Sequence, residues 1–168
     1  MATTLDKVRD SGRNTAITDD VNTVLAQVLT GLNAVENRFA LTESVITTNV
    51  ITAAETGTKF ILNSATAFVS TLPASAAGLE YWFYIGATEP TTSHTVVTNA
   101  SANIIVGNVS SPEDAAGSVA TVTDADTITF VANLAVHGDY AHVWSDGTNW
   151  YLDGMCKVQD GITTTSTP

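Results

Sequence analysis

The sequence predicts a mainly β protein: an antiparallel β-sandwich or barrel of jelly-roll type, preceded by an N-terminal arm and a short helix. Three observations lead to this prediction. The 168-residue chain is 44% hydrophobic but only 14% charged, and it is rich in Thr, which suits strands and turns. Beyond Lys59, short apolar runs recur at intervals of about 8–12 residues between turn residues. A helical spacing of apolar residues is confined to one stretch near the N-terminus.

Residues 1–18 show no clear period and mix basic with acidic side chains, so we expect an arm that a partner orders. Charge also divides the chain. Residues 1–40 carry four cations against five acids, whereas residues 41–168 carry two cations against twelve acids. The two parts are therefore suited to different surroundings.

Residues 19–41 are predicted to form an amphipathic helix that makes a trimer or lattice contact. Thr18, Asp19 and Asp20 supply the capping chemistry of a helix N-terminus. The apolar residues then recur every three or four positions, which is the spacing of a helix-packing seam; they are Val21, Leu25, Val28, Leu32, Val35 and Phe39. Two interpretations stay open: the helix docks on its own domain, or three copies form a short parallel bundle.

The β-sandwich domain is predicted to span residues 59–158, with a linker at 42–58 and a mobile Thr/Ser-rich tail at 159–168. Nine strands follow from the apolar runs: 59–62, 67–72, 80–85, 94–98, 103–106, 118–122, 127–132, 139–144 and 149–153. The clearest turn is Ser145-Asp146-Gly147-Thr148, which separates two aromatic-rich strands as a hairpin turn does.

Composition also bears on partners. The net charge of −11 disfavours nucleic acid and anionic membrane surfaces, since both require a basic footprint. No apolar run approaches the roughly 20 residues of a membrane span, and we expect no secretory signal at the N-terminus. With Cys156 as its single cysteine, the chain has no disulfide framework, and we expect assembly in a reducing cytoplasm.

Candidate catalytic or metal-binding groups are few. His137 and His142 flank Asp139, but a spacing of five on a strand puts the two imidazoles on opposite faces. The pairs Asp124/Asp126 and Glu113/Asp114 could begin a cation site, yet neither continues as a calcium loop does, so we interpret them as solvated turn acids. Nucleophile-elbow, phosphate-loop and dinucleotide motifs do not occur in the sequence, and Cys156 reads as a small buried apolar residue. We therefore predict no enzyme, no cofactor and no metal.

The aromatic residues offer two interpretations. Alternating aromatics on neighbouring strands usually form the core of a sandwich. The other possibility is an aromatic ladder that binds sugar rings, drawn from Tyr81, Trp82, Tyr84, Tyr140, Trp144, Trp150 and Tyr151. Within it, Trp144, Trp150 and Tyr151 are the expected glycan platform.

Three segments resemble small β-domains of tailed-bacteriophage virion proteins. Residues 71–85 resemble a strand, Leu-Pro, loop, strand pattern of those domains. Residues 102–107 match an A-N-x-I-x-G run, and residues 143–154 match a final hairpin of the form S-D-G-x-x-W-Y. The similarity covers roughly residues 59–155.

The resemblance implies a trimeric β-structure without catalytic residues, found in capsid decoration (cement) proteins and in tail-fibre or appendage proteins. Fibres usually have long shafts, whereas a helix of about 20 residues spans only about 30 Å. We therefore expect a decoration protein on the capsid surface of the virion, whose partners are two further copies and the major capsid protein lattice. Lys7, Arg9 and Arg13 are the expected capsid contacts. The alternative is a receptor- or glycan-binding tail module.

Overall fold

The computed structural model describes residues 21–30, 41–112 and 119–167. The chain divides into two compact units, Met1–Phe39 and Ala40–Pro168. In the first unit, residues 21–30 are α-helical, as the apolar spacing predicts. Residues 19–20 and 31–40 of the predicted helix and the arm at 1–18 lie outside the described residues, while Leu41, the predicted last helical residue, is not helical. The second unit is mainly β and sandwich-like, which confirms the predicted class.

The larger sheet has seven strands in the order β1-β3-β5-β10-β11-β7-β8. Their bounds are β1 Thr42–Val45, β3 Lys59–Leu62, β5 Ala77–Ile85, β7 Ile105–Ser110, β8 Val119–Ala125, β10 Tyr140–Asp146 and β11 Trp150–Met155. The smaller sheet has five strands in the order β12-β9-β6-β4-β2. Their bounds are β2 Asn49–Val50, β4 Val69–Thr71, β6 His94–Val97, β9 Thr127–Phe130 and β12 Ile162–Thr165. Two short 3₁₀ turns, Ala53–Glu55 and Asn99–Ser101, complete the described elements.

Both sheets are mixed, so the expectation of purely antiparallel strands is wrong. Parallel neighbours are β1 with β3, β3 with β5, β11 with β7, β2 with β4, and β4 with β6. The reason lies in the connections. The chain leaves β3 for β4 in the opposite sheet and returns to β5, so that β5 lies beside β3 and runs in the same direction. Short runs between turns do not reveal which sheet each strand joins.

The core lies between the two sheets. From the larger sheet it takes Phe60, Tyr81, Phe83 and Trp150, and from the smaller sheet Val96, Ile128 and Phe130, all at most 1% exposed. Phe60 stacks on Phe83 with ring centroids 5.4 Å apart, and Tyr81 contacts Trp150 at 5.8 Å. Burial of each such side chain contributes about 1.5–3 kcal/mol, which makes this layer the main source of stability.

All nine predicted strands are present, with shifted ends, and Lys59–Leu62 matches at both ends. Three strands were not predicted. β1 and β2 lie in the segment 42–58 that was expected to be a linker, and β12 lies in the expected mobile tail. Those two expectations are wrong, because edge strands of two to four residues carry too little apolar pattern to be recognised.

The C-terminal segment is held by side chains as well as by the sheet. Ile162 is buried, and β12 pairs with β9 along its four residues. The Thr167 hydroxyl donates to Asp126 Oδ2, and Asn103 Nδ2 donates to the Thr167 carbonyl at 2.8 Å. The tail therefore belongs to the domain.

Candidate functional site

The outer surface of the larger sheet carries a cluster of aromatic side chains. On β5, β10 and β11 the buried residues alternate with partly exposed ones, because successive side chains point to opposite faces of a sheet. The alternation directs six rings to the solvent side, and we call them the aromatic face: Trp82, Tyr84, Tyr140, His142, Trp144 and Tyr151. The central strand β10 pairs with both β5 and β11, so the three rows lie side by side.

The pairing register sets the order of the rings. His142 lies opposite Trp82 on one side and Asp153 on the other, while Tyr140 lies opposite Tyr84. The imidazole of His142 stacks on Trp82 with centroids 3.8 Å apart and planes 10° apart. Trp144 lies 5.0 Å from His142 and 5.8 Å from Tyr151, so the rings form a continuous contact chain from β5 to β11.

Hydrogen bonds to Glu80 orient the rings at the β5 end of the aromatic face. Glu80 Oε1 lies 2.8 Å from His142 Nε2, and it accepts a hydrogen bond from Trp82 Nε1 at 3.3 Å. The carboxylate is half exposed, whereas the His142 side chain is only 16% exposed. Glu80 therefore fixes the orientation of both rings and leaves part of its own surface to solvent.

The hairpin turn at residues 145–148 orients Tyr151, at the β11 end of the aromatic face. Asp146 Oδ1 accepts the backbone N–H groups of Thr148 and Asn149 at 2.8 Å each, and Tyr151 donates its hydroxyl to Asp146 Oδ2 at 2.9 Å. These bonds, led by the one from Asn149, lower the pKa of Asp146. The pKa of Tyr151 is raised, because its hydroxyl donates to that carboxylate. Tyr151 is thus a neutral, positioned ring beside a stable negative charge.

Acids outnumber cations around the aromatic face. Glu80, Asp146 and Asp153 carry negative charge on β5, β10 and β11. Among the described residues, Lys59 on β3 is the cation that strand pairing brings opposite the aromatic face, at Trp82. Phosphates and acidic sugars would meet net repulsion here.

Trp150, expected as part of a glycan platform with Trp144 and Tyr151, does not belong to it. Its side chain is fully buried and contacts Tyr81 in the core. The period of two along β11 explains the correction, since adjacent residues cannot share a face. Trp144, 39% exposed, and Tyr151 do lie together on the outer side. Trp82, Tyr84 and Tyr140, which the sequence also suggested for a sugar-binding ladder, lie on this outer side, whereas Tyr81 is buried in the core. His142 was missed, although the alternation along 140–144 could have assigned it.

The other titratable residues considered from the sequence are dispersed. His137 lies exposed in a loop and His142 in the aromatic face, while His94 is buried against Phe68. Asp126 is not a solvated turn acid. Its side chain is only 2% exposed, and its carboxylate accepts hydrogen bonds from the hydroxyls of Thr127 and Thr167. Glu113 and Asp114 lie outside the described residues. Cys156 is buried, as expected, and burial raises the pKa of its thiol.

Within residues 21–30, 41–112 and 119–167, no three His, Cys, Asp or Glu side chains converge as metal ligands would. A shallow concavity of about 150 Å³ is lined by Pro73, Ser75, Asn99, Ile104 and Trp150, among others.

The helix provides the second candidate surface. Val21, Val24, Leu25, Val28 and Leu29 lie on one side of residues 21–30, and each is between 43% and 60% exposed. We call these five side chains the apolar stripe. The expected seam residues Leu32, Val35 and Phe39, and the expected capsid contacts Lys7, Arg9 and Arg13, lie outside the described residues.

Comparison of the chain with protein families, with curated proteins and with solved structures found no match. In the described residues, no helix has both the length and the apolar character that a bilayer span requires.

Proposed function

We propose that this chain is a non-catalytic structural protein of a bacteriophage virion: a trimeric decoration, or cement, protein on the outer surface of the capsid. The observation that carries the proposal is the apolar stripe. Five adjacent aliphatic side chains, each about half exposed, are unfavourable in water and are typical of a helix that packs on another copy. A stripe this wide suits more than two helices.

The resemblance of residues 59–155 to virion β-domains supports placement on a phage particle. In this proposal residues 1–40, which we call the foot, bind the capsid lattice. Lys7, Arg9 and Arg13 supply polar contacts to the shell. By bridging neighbouring capsid subunits, the foot resists expansion driven by packaged DNA. The acidic sandwich domain keeps virions apart in solution through charge repulsion.

Association through the stripe is tested by charge substitution. In the double variant Leu25→Asp/Val28→Asp we expect the mass measured by light scattering to fall from three chains of 17.5 kDa to one. Gln27→Asp is the matched control, since Gln27 lies on the opposite side of the helix and the variant should stay trimeric. A wild-type chain that is monomeric at high concentration would contradict the proposal.

Capsid attachment is tested separately by deleting residues 2–18 and adding the full-length and shortened proteins to expanded capsids. We expect the shortened protein to remain trimeric but to bind at greatly reduced occupancy. Full occupancy without the arm would rule it out as the anchor. The copy number per particle, measured on a stained gel of purified virions, should be in the hundreds.

The aromatic face favours a second candidate, a receptor-binding module of a tail fibre or appendage. Exposed Trp and Tyr rings on a rigid sheet are typical of recognition surfaces. A low copy number per particle, together with binding to host cells that is lost in Trp144→Ala, would favour this function over capsid decoration.

A further inference from the structure

We propose that the aromatic face binds an uncharged oligosaccharide, which lies across β5, β10 and β11. The proposal rests on the second candidate function and names its ligand class. It also differs from the ladder expected from the sequence, because Tyr81 and Trp150 are buried and His142 joins the rings.

Six contacting rings form a continuous cluster from Trp82 and Tyr84 to Tyr151. His142 covers one face of Trp82, and Trp144, 39% exposed, is the most exposed ring of the cluster. Pyranose rings carry patches of C–H groups that pack on aromatic surfaces, while Tyr hydroxyls bind their oxygen atoms. The rings are held before the ligand arrives, because the sheet, Glu80 and Asp146 fix them. Little conformational entropy is then lost on binding.

The carboxylates decide between a sugar and a protein as the occupant. Asp153 lies opposite His142, and Glu80 lies opposite Trp144, so both carboxylates lie among the rings. A flat protein partner would have to desolvate these charges, which is costly and which interface centres avoid. A narrow polyhydroxyl chain leaves them partly in water and donates hydroxyl hydrogen bonds to them.

The charge of the face decides which saccharide fits. The carboxylates of Glu80, Asp146 and Asp153 outnumber the one cation, Lys59, so the face repels uronic acids, sialic acids and phosphorylated sugars. The same negative charge repels single-stranded nucleic acid, whose bases otherwise stack on aromatic rings. A neutral glycan keeps the stacking and the hydroxyl bonds without that repulsion.

The test uses the full-length protein with defined neutral hexasaccharides of glucose, mannose and N-acetylglucosamine, and with hexagalacturonate as the acidic probe. We expect at least one neutral probe to bind in titration calorimetry and to change the fluorescence of exposed tryptophan. Trp144→Ala and Tyr151→Ala should each weaken binding by about tenfold, the effect of losing one stacked ring. Val69→Ala, an exposed aliphatic position on the smaller sheet, is the control and should bind normally. Hexagalacturonate should bind wild-type protein at least about tenfold more weakly than the neutral probe.

Binding of hexagalacturonate as tight as that of the neutral probes, or neutral binding that survives both ring variants, would overturn the proposal. So would a change in mass on Trp144→Ala, because the face would then be covered by a second copy. Suppose that wild-type protein binds host cells, that Trp144→Ala fails to bind them, and that no neutral hexasaccharide competes with the cells. The proposed ligand class is then wrong, while the receptor-binding function stands. If Trp144→Ala binds host cells as wild type does, both fail.

Discussion

His94 has a buried imidazole that stacks on Phe68 with centroids 4.0 Å apart. Its Nε2 lies 2.8 Å from the Ser64 carbonyl, whereas Nδ1 has no hydrogen-bond partner in the described structure. The ring is therefore neutral, with Nε2–H as donor. Burial lowers the pKa of His94, and the bond to Ser64 opposes this shift only in part.

The lowered pKa makes the free energy of unfolding depend on pH. The folded-state pKa of His94 is below about 6.5, so between that pKa and about pH 6.5 the unfolded chain binds one more proton than the folded chain. The contribution of His94 to the free energy of unfolding is therefore complete above about pH 6.5 and is lost as pH falls through this window. One proton gives a slope of at most about 1.4 kcal/mol per pH unit. Urea unfolding at several pH values should show this slope, and His94→Phe should flatten it while losing some stability at every pH. His137→Gln, at an exposed position, should keep it; an unchanged slope in His94→Phe would contradict the assignment.

Gly107 shows how backbone geometry restricts a single position. It has a φ of +148° beside a register shift in β7, and a Cβ there would lie 2.0 Å from the Leu152 carbonyl oxygen. We expect Gly107→Ala to destabilise by more than about 3 kcal/mol in urea unfolding, because two paired strands must separate. Gly78, with a φ of +84° and open space around it, is the comparison: Gly78→Ala should cost about 1–2 kcal/mol from backbone strain alone. Equal losses would mean that strain, and not the contact with Leu152, limits position 107.

Among the elements, β12 is held by its pairing with β9 and, just beyond its end, by a hydrogen bond from Thr167 to the buried Asp126 carboxylate. Asp126 accepts hydroxyl hydrogen bonds from Thr127 and Thr167, and the bond from Thr167 is the main reason for its lowered pKa. A hydrogen bond to a charged group contributes about 1.5–3 kcal/mol. Thr167→Val should therefore lower the free energy of urea unfolding by about that amount. Thr165→Val, at an exposed position on the same segment, should change it by less than about 0.5 kcal/mol. A Thr167→Val protein as stable as wild type would show that strand pairing alone holds the tail.

Prediction of the elements succeeded where a local pattern was sufficient. The turn at residues 145–148 and the strands around it follow from Asp-Gly chemistry and from the spacing of aromatic residues. β1, β2 and β12 could not be recognised, because strands of two to four residues with at most one buried side chain show no alternation, and they pair only with strands distant in sequence.

At the scale of the whole molecule, charge opposes association while the apolar stripe favours it. In the proposed trimer, three sandwich domains with twelve acids and two cations each would repel one another, and salt would screen that repulsion. We expect the proposed trimer to dissociate less readily in sedimentation equilibrium as NaCl rises. The proposed binding to capsids through Lys7, Arg9 and Arg13 should instead weaken with salt. A trimer that dissociates at high salt would show that ion pairs, not the stripe, hold it together.

A β-rich domain with a preceding amphipathic helix could be predicted from the sequence, because both periods are local properties of the chain. The sequence also shows which part of the chain carries the negative charge. Three features became visible only in the folded chain: the mixed sheets, the core position of Trp150, and the single surface formed by six rings from three strands. Those features depend on which strands become neighbours, and neighbours are chosen by long-range packing that no local pattern records.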